Sequence, residues 1–261
     1  MATAAALGLA ACPRWNSAIT NSTQVGSTAV ALSLDKDQSR SQETLFGDFV
    51  ADAYVASAPS GTQVGLLNAG SIRCEAPTFP ANADNQGCVG QSLAAGPISA
   101  QELQDALPFE DQDHLVVVHL TGAQLVSTLE RSVSSLPAAF NGWFLQVAGL
   151  SFSADCSQLA QKVDPTETKI LQEGQRVTSV VVGGKRVDPT DATTTYAVVT
   201  NSFTAFGKDG HVAMAQACAA QQCGPFSPSD TDLDAVEAYL DAHSPISPKL
   251  EARIVLSNCG Q

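Results

Sequence analysis

The stretch VGLLNAGSIR, residues 64–73, decides the fold class of this chain. Its first half, residues 64–67, is a short apolar run typical of a buried β-strand. Its second half, residues 68–73, is rich in small and polar residues and predicts a loop at the end of that strand. Binding residues concentrate in such loops, so Asn68 and Arg73 become candidate functional residues.

The segments around this strand alternate between strand and helix patterns. A capping box, Ser99 with Glu102, marks the start of a helix over residues 100–106, and Gly183-Gly184 predicts a two-residue hairpin turn. The other predictions are strands at 27–34, 114–120, 147–152, 176–182, 185–187 and 196–201, helices at 43–56, 122–135 and 230–242, and a proline-interrupted tail.

This order predicts an α+β fold, a single mixed-sheet domain with flanking helices. No internal repeat or low-complexity linker divides the chain, so we expect one domain over residues 26–256. Residues 1–25 show no periodicity and predict a disordered leader or the remnant of a signal peptide.

Composition narrows the possible partners. The 261 residues are 44% hydrophobic and carry a net charge of −13, which suits a globular protein and disfavours nucleic acid as a partner. No run approaches the roughly 18 consecutive apolar residues of a membrane-spanning helix.

The seven cysteines fit an oxidising compartment and predict an extracellular or periplasmic location. Local disulfides between Cys74 and Cys88 and between Cys218 and Cys223 are plausible, although the sequence leaves the connectivity open and buried free thiols are the alternative. Cys12 ends a weak match to a lipoprotein cleavage box, so a lipid anchor is a further alternative.

Common catalytic signatures are absent. The sequence has no phosphate-binding P-loop, no G-x-G-x-x-G and no G-x-S-x-G. The D-x-H fragment at residues 241–243 is explained more simply by a histidine at a helix C-terminus. We therefore expect no metal or cofactor in this chain.

Three loops instead combine arginine, aromatic and carboxylate side chains: residues 40–52, 68–73 and 201–210. The last follows a strand and places Phe203 ahead of Asp209, an aromatic platform beside an acceptor suited to ribose.

Six motifs in order now carry a resemblance: Arg40-x-x-Glu43 with residues 47–52, then residues 68–73, 107–109, 120–122, 144–149 and 201–210. With this set, the chain resembles the C-terminal, nucleotide-binding domain of the 5'-nucleotidase family, which includes cyclic-nucleotide phosphodiesterases and nucleotide-sugar hydrolases.

The resemblance implies a role for each matching residue. Phe109 and Phe203 would stack on the base, since every base offers a π-face, and Asp209 would accept from the ribose hydroxyls. Arg40 and Arg73 would face the phosphate. Asn68 and Gly70 belong to the same binding loop, with Asn68 near the base or the phosphate-side rim.

The residues alone also allow simpler roles. The two phenylalanines could be core aromatics, Arg73 could cap carbonyls of its own loop, and Asp209 could stabilise a turn. Two family glycines are replaced, by Ala69 and by Lys208, where the backbone could need positive φ or close ligand approach.

In the resembled family, a separate N-terminal domain with two divalent metal ions performs hydrolysis, and none of its ligand motifs precedes residue 40. We therefore expect a nucleotide-recognition domain that is inactive alone and binds a nucleoside 5'-phosphate or a nucleoside beside a metallophosphatase domain. The alternatives are a standalone nucleotide-binding protein and an interaction module that has lost the site.

Overall fold

A computed structural model describes residues 23–74, 88–109, 113–226 and 231–260. Most of the predicted leader, residues 1–22, lies outside the described residues. The first strand already begins at Gln24, two residues before the predicted start of the domain.

The helices flank the sheets on several sides: α1 (Lys36–Ser39), α2 (Leu45–Ser57), α3 (Ala100–Ala106), α4 (Gly122–Ser132), α5 (Ser202–Ala205), α6 (Val212–Gln221) and α7 (Asp232–His243). The strands are β1 (Gln24–Thr28), β2 (Leu32–Ser33), β3 (Val64–Asn68), β4 (Ser92–Leu93), β5 (Gly96–Ser99), β6 (Leu115–Thr121), β7 (Leu145–Ala148), β8 (Leu150–Asp155), β9 (Lys162–Val163), β10 (Ile170–Gln172), β11 (Val177–Val182), β12 (Lys185–Arg186), β13 (Thr195–Asn201) and β14 (Ile254–Ser257).

The central sheet has the strand order β6-β13-β3-β7. Strand β13 runs parallel to β3 and antiparallel to β6, while β7 runs antiparallel to β3. The carboxyl ends of β3 and β13 therefore lie side by side, with Asn68 ending one strand and Asn201 ending the other.

This sheet is covered on both faces, which explains why β3 reads as a continuous apolar run. Side chains alternate along a strand, so Val64 and Leu66 pack into one buried cluster with α4, α6 and the second sheet. Leu67 packs into the other cluster, with α2 and α7. The predicted fold class, a mixed sheet flanked by helices, is confirmed.

The predicted single strand over residues 147–152 is wrong, because Gly149 divides it into β7 and β8. Gly149 has φ +71, and the position of a Cβ on it is filled by the carbonyl oxygen of Gln63. Strand β7 stays in the central sheet, whereas β8 enters a second sheet of order β12-β11-β8-β14.

Other predictions agree in detail. Helix α3 occupies the predicted residues 100–106, and both halves of the capping box at Ser99 are formed. The hairpin between β11 and β12 turns at Gly183 and Gly184, both with positive φ. Helix α4 ends at Ser132, three residues early.

Three disulfides join cysteines of the described residues. Cys74–Cys88 and Cys218–Cys223 are the two local pairs considered plausible from the sequence. The third, Cys156–Cys259, links the residue after β8 to the segment after β14. Cys12 lies outside the described residues.

Candidate functional site

A cleft of about 460 Å³ opens at the carboxyl ends of β3 and β13. Crevices at this end of parallel strands are common ligand sites. The cleft brings together all seven residues named from the sequence: Arg40, Asn68, Gly70, Arg73, Phe109, Phe203 and Asp209. Six further residues line it: Ser71, Asp113, Phe140, Asn141, Gly142 and Trp143.

A buried hydrogen-bond network fixes Asn68 at the end of β3. Its Oδ1 accepts from Ser71 Oγ at 2.9 Å, from Asn201 Nδ2 at 2.9 Å and from Thr204 Oγ1 at 3.2 Å. Because these three donors determine which amide atom faces inward, the donor group, Nδ2, is directed away from them. Asn68, which lines the cleft, is thus held in one orientation.

Two glycines allow the loops at the cleft to meet. The Gly70 N–H donates to Gly142 O at 2.8 Å, and a Cβ on Gly142 would lie 3.0 Å from Gly70 Cα and 3.5 Å from Asp209 Oδ2. Close backbone approach therefore explains both positions. By contrast, Ala69 and Lys208, which replace family glycines, do not adopt positive φ, so neither position requires glycine on conformational grounds.

Arg40 is placed by a side chain of β7. Gln146 is fully buried; its Oε1 accepts from the Thr44 N–H at 3.0 Å, and its Nε2 donates to Ser39 O at 2.8 Å and Gln42 O at 2.7 Å. These bonds hold the backbone on both sides of Arg40. The motif over residues 144–149 therefore contributes to the cleft through the hydrogen bonds of Gln146, which hold the backbone around Arg40.

Arg73 and Phe109 lie together on one wall. The Arg73 guanidinium carbon lies 5.3 Å from the centroid of the Phe109 ring, within cation–π range. Its Nη1 also donates to Ile72 O at 3.4 Å, a long bond that corresponds to the carbonyl-capping alternative.

The other aromatic wall is formed by Phe203, which follows β13 at the start of α5. Phe203 is 38% exposed, Phe140 beside the cleft is also 38% exposed, and Phe109 is half-buried. Neither Phe109 nor Phe203 belongs to the buried clusters. Both rings are available to a ligand.

Asp209 is held in an unusual conformation by Arg131. Its φ of 58° is rare for a residue other than glycine, and its backbone carbonyl accepts from Arg131 Nε at 2.7 Å. Burial raises the pKa of the Asp209 carboxyl, and Glu167 acts in the same direction, while Arg131, Arg40 and Arg73 oppose the shift. Its carboxylate therefore lies within the electrostatic influence of Arg40 and Arg73.

Arg131 was not found from the sequence because it resembles an ordinary cation in the last turn of a helix. Its guanidinium lies 4.0 Å from the centroid of the Trp143 ring and pairs with Glu167 at 3.2 Å. The chain separation of 78 residues between Arg131 and Asp209 leaves no local signal for their contact.

Asp113 was also missed. It is 6% exposed and lines the cleft between the two aromatic walls. Burial raises the pKa of its carboxyl to about 6, opposed by the hydrogen bond from the Phe203 N–H and by His114.

Within the residues that the structure describes, no three histidine, cysteine, aspartate or glutamate side chains group in a way that could hold a metal ion. No helix in this part of the chain is long and apolar enough to span a bilayer.

The family model for the 5'-nucleotidase C-terminal domain matches residues 24–217, a range that includes every residue of the cleft. The solved structure of a 5'-nucleotidase precursor from Thermus thermophilus superposes with a TM-score of 0.70 and 28% identity, over 90% of this chain and 39% of that one. The chain therefore belongs to the 5'-nucleotidase C-terminal domain family.

Two curated relatives extend the comparison. The trifunctional nucleotide phosphoesterase protein YfkN of Bacillus subtilis is 28% identical over 235 residues, which cover 88% of this chain and 14% of YfkN. An apyrase of Tabanus yao is 28% identical over 237 residues, covering 85% of this chain and 36% of the apyrase. The chain thus spans less than half the length of either relative.

Proposed function

We propose that this chain is a nucleotide-recognition domain that binds the base and ribose of a nucleoside 5'-phosphate in the cleft. The observation that carries the proposal is the convergence of unlike groups: three phenylalanines, two carboxylates and two arginines, drawn from segments between residues 40 and 209, line one cavity. Planar, hydroxylated and anionic parts of one ligand would each meet a suitable partner.

The base would lie between Phe109 and Phe203, where stacking contributes about 1 to 3 kcal/mol per base. The ribose hydroxyls would donate to the Asp209 carboxylate. Arg40 and Arg73 would face the phosphate, for which guanidinium groups are well suited.

Hydrolysis is assigned to another domain in this proposal. The described residues provide no donor set for the metal pair of the family, so we derive no step of phosphate-ester cleavage from this chain. The names of its relatives, a nucleotide phosphoesterase, an apyrase and a 5'-nucleotidase, support a role beside such chemistry.

We also propose an extracellular or periplasmic location. The support is the set of three disulfides among the described residues, since such bonds persist in oxidising compartments.

Calorimetric titration of the chain with AMP and adenosine, without metal, tests the binding proposal. We expect Phe203→Ala to weaken AMP binding about 5- to 100-fold, as the loss of one stacking face implies. The matched control is Phe206→Ala. Phe206 directly follows the same short helix, α5, and is 50% exposed, but it does not line the cleft.

Equal losses in the two variants would place the base elsewhere. An absence of heat with the unaltered chain at millimolar AMP would contradict the proposal and favour an interaction module.

A further inference from the structure

We propose, on the basis of the function proposed above, that the Asp113 carboxylate accepts a hydrogen bond from the edge of the base. This bond would make the cleft selective for bases that carry an exocyclic amino group. The ligand class would then be adenine, guanine and cytosine nucleotides, in preference to hypoxanthine and uracil nucleotides.

The backbone places Asp113 between the two aromatic residues. Its N–H donates to Phe109 O at 2.9 Å, and the Phe203 N–H lowers the pKa of its carboxyl. The next residue, His114, exchanges two hydrogen bonds with Ser202, through Ser202 N to His114 O at 2.8 Å and His114 N to Ser202 Oγ at 3.3 Å. Asp113 is therefore tied to both walls that would hold the base.

The charges of the cleft give the ligand a direction. Arg40 and Arg73 oppose the rise in the pKa of Asp209, whereas His114 opposes the rise in the pKa of Asp113. The two arginines thus influence Asp209 more than Asp113. A nucleotide whose phosphate faces the arginines would place its base, and not its phosphate, against Asp113.

Burial leaves this carboxylate in need of donors. Asp113 is 6% exposed, and an ionised carboxylate has about four acceptor positions, more than the Phe203 N–H alone can fill. A buried charge is costly unless it is hydrogen-bonded. A ligand N–H that reaches it would therefore gain a charge-assisted bond.

An amino group suits this acceptor better than a carbonyl. The carboxylate only accepts, so the O6 of hypoxanthine or the O4 of uracil would meet it lone pair to lone pair. A ring N–H of these bases is flanked by such a carbonyl oxygen. Rejection by a mispaired polar group is an effective source of selectivity.

The test compares AMP with IMP by calorimetric titration; the two differ at C6, an amino group against a carbonyl, and at N1, a bare nitrogen against an N–H. We expect the unaltered chain to bind AMP about tenfold more tightly than IMP, the size of one charged hydrogen bond. Asp113→Asn adds an amide donor that can serve the carbonyl of IMP, so we expect the ratio to fall to about one or to invert.

Asp113→Ala removes both functions and should also bring the ratio to about one. The matched control is Asp209→Asn, which should weaken AMP and IMP alike and leave their ratio unchanged, since the ribose is the same in both.

An AMP to IMP ratio near one in the unaltered chain, or a ratio that survives both Asp113 substitutions, would overturn the role of Asp113 while leaving the nucleotide site intact. If the unaltered chain binds neither nucleotide, the proposed function itself fails, and this inference fails with it. Retained thermal unfolding midpoints show that a changed ratio does not come from misfolding.

Discussion

Arg131 illustrates how a residue outside the lining of a cleft can set the position of one inside it. Three contacts fix its guanidinium: the face of Trp143, the carboxylate of Glu167 and the backbone carbonyl of Asp209. The planar fork of arginine can serve all three at once, whereas the ammonium of lysine cannot. Arg131 is therefore a positioning residue for Asp209.

We expect Arg131→Lys to weaken AMP binding about fivefold and to weaken binding of the 2',3'-dideoxy analogue much less, because only the hydroxylated ligand uses Asp209. Calorimetric titration of both ligands measures the difference. The control is Arg186→Lys on the exposed strand β12, whose guanidinium donates only to Thr178 O at 2.9 Å among the described residues. Equal losses for both ligands would argue against positioning through Asp209.

His211 directly precedes α6 and follows the glycine-containing loop of the cleft. It is 1% exposed, and neither ring nitrogen meets a hydrogen-bond partner among the described residues. Burial lowers its pKa to about 3, so the imidazole is neutral at ordinary pH. His211 therefore acts as a neutral core ring.

Secondary-structure elements position the cleft through side chains that never reach it. Gln146 on β7 is the clearest case, because it replaces missing backbone partners in the connection between α1 and α2. A carboxylate in its place could still accept from the Thr44 N–H but would repel the carbonyls of Ser39 and Gln42.

We expect Gln146→Glu to lower the free energy of unfolding by about 2 kcal/mol or more, the cost of buried unpaired acceptors. The AMP affinity should fall more than the adenosine affinity, because Arg40 would face the phosphate. Denaturant unfolding and titration with both ligands measure these effects. Gln175→Glu, the same substitution at an exposed position, should change neither the stability nor the two affinities. Equal losses of affinity for AMP and adenosine would show that Gln146 does not act through Arg40.

The sequence predicted elements wherever local chemistry decides them. Helix α3 is bounded by its own capping box, and the strand at residues 64–67 by its apolar run. Strand β14 and the division at Gly149 were not predictable, since a distant strand and the carbonyl of Gln63 determine them. Helix α6 was missed because its alanine-rich sequence shows no contrasting polar and apolar faces.

The candidate site shows the same division. Six of the seven residues stand in loops with distinctive composition, Phe109 was assigned through the family resemblance, and all seven line one cleft. Asp113, Trp143 and Arg131 have no such signal. Their proximity to the others depends on how β6, α4 and the segment before β7 pack, which no local pattern encodes.

At the scale of the whole molecule, a buried group of charges ties α2 to the segment that precedes β14. Arg253 pairs with Asp52 at 2.8 Å and lies 3.9 Å from Asp48, while Glu43 accepts from the N–H groups of Glu251 and Ile254. Burial raises the pKa of Asp48 to about 8; Arg253 opposes the shift, and Glu43 and Asp52 add to it.

A pH dependence of stability follows. Asp48 binds a proton on folding between pH about 4 and about 8, so its contribution to the free energy of unfolding falls as the pH rises through this window, by at most about 1.4 kcal/mol per pH unit. Asp48→Asn should not show this loss. The free energy of unfolding of the variant should therefore rise relative to that of the unaltered chain between pH 5 and pH 8.

Denaturant unfolding of both proteins across this pH range measures the difference. Ala51→Gly in the same helix is a matched control, because it weakens the helix without changing charge and should shift the curve equally at every pH. A constant difference between Asp48→Asn and the unaltered chain would show that Asp48 stays ionised on folding.

The Cys156–Cys259 bond also has a consequence for how the chain survives damage. It closes a covalent ring that contains Phe203 and Asp209 together with the exposed turn around Thr166. A protease that cuts this turn produces two fragments that remain one molecule until a reductant separates them. One wall of the cleft is thus built on a loop of chain that a single cut opens but does not release.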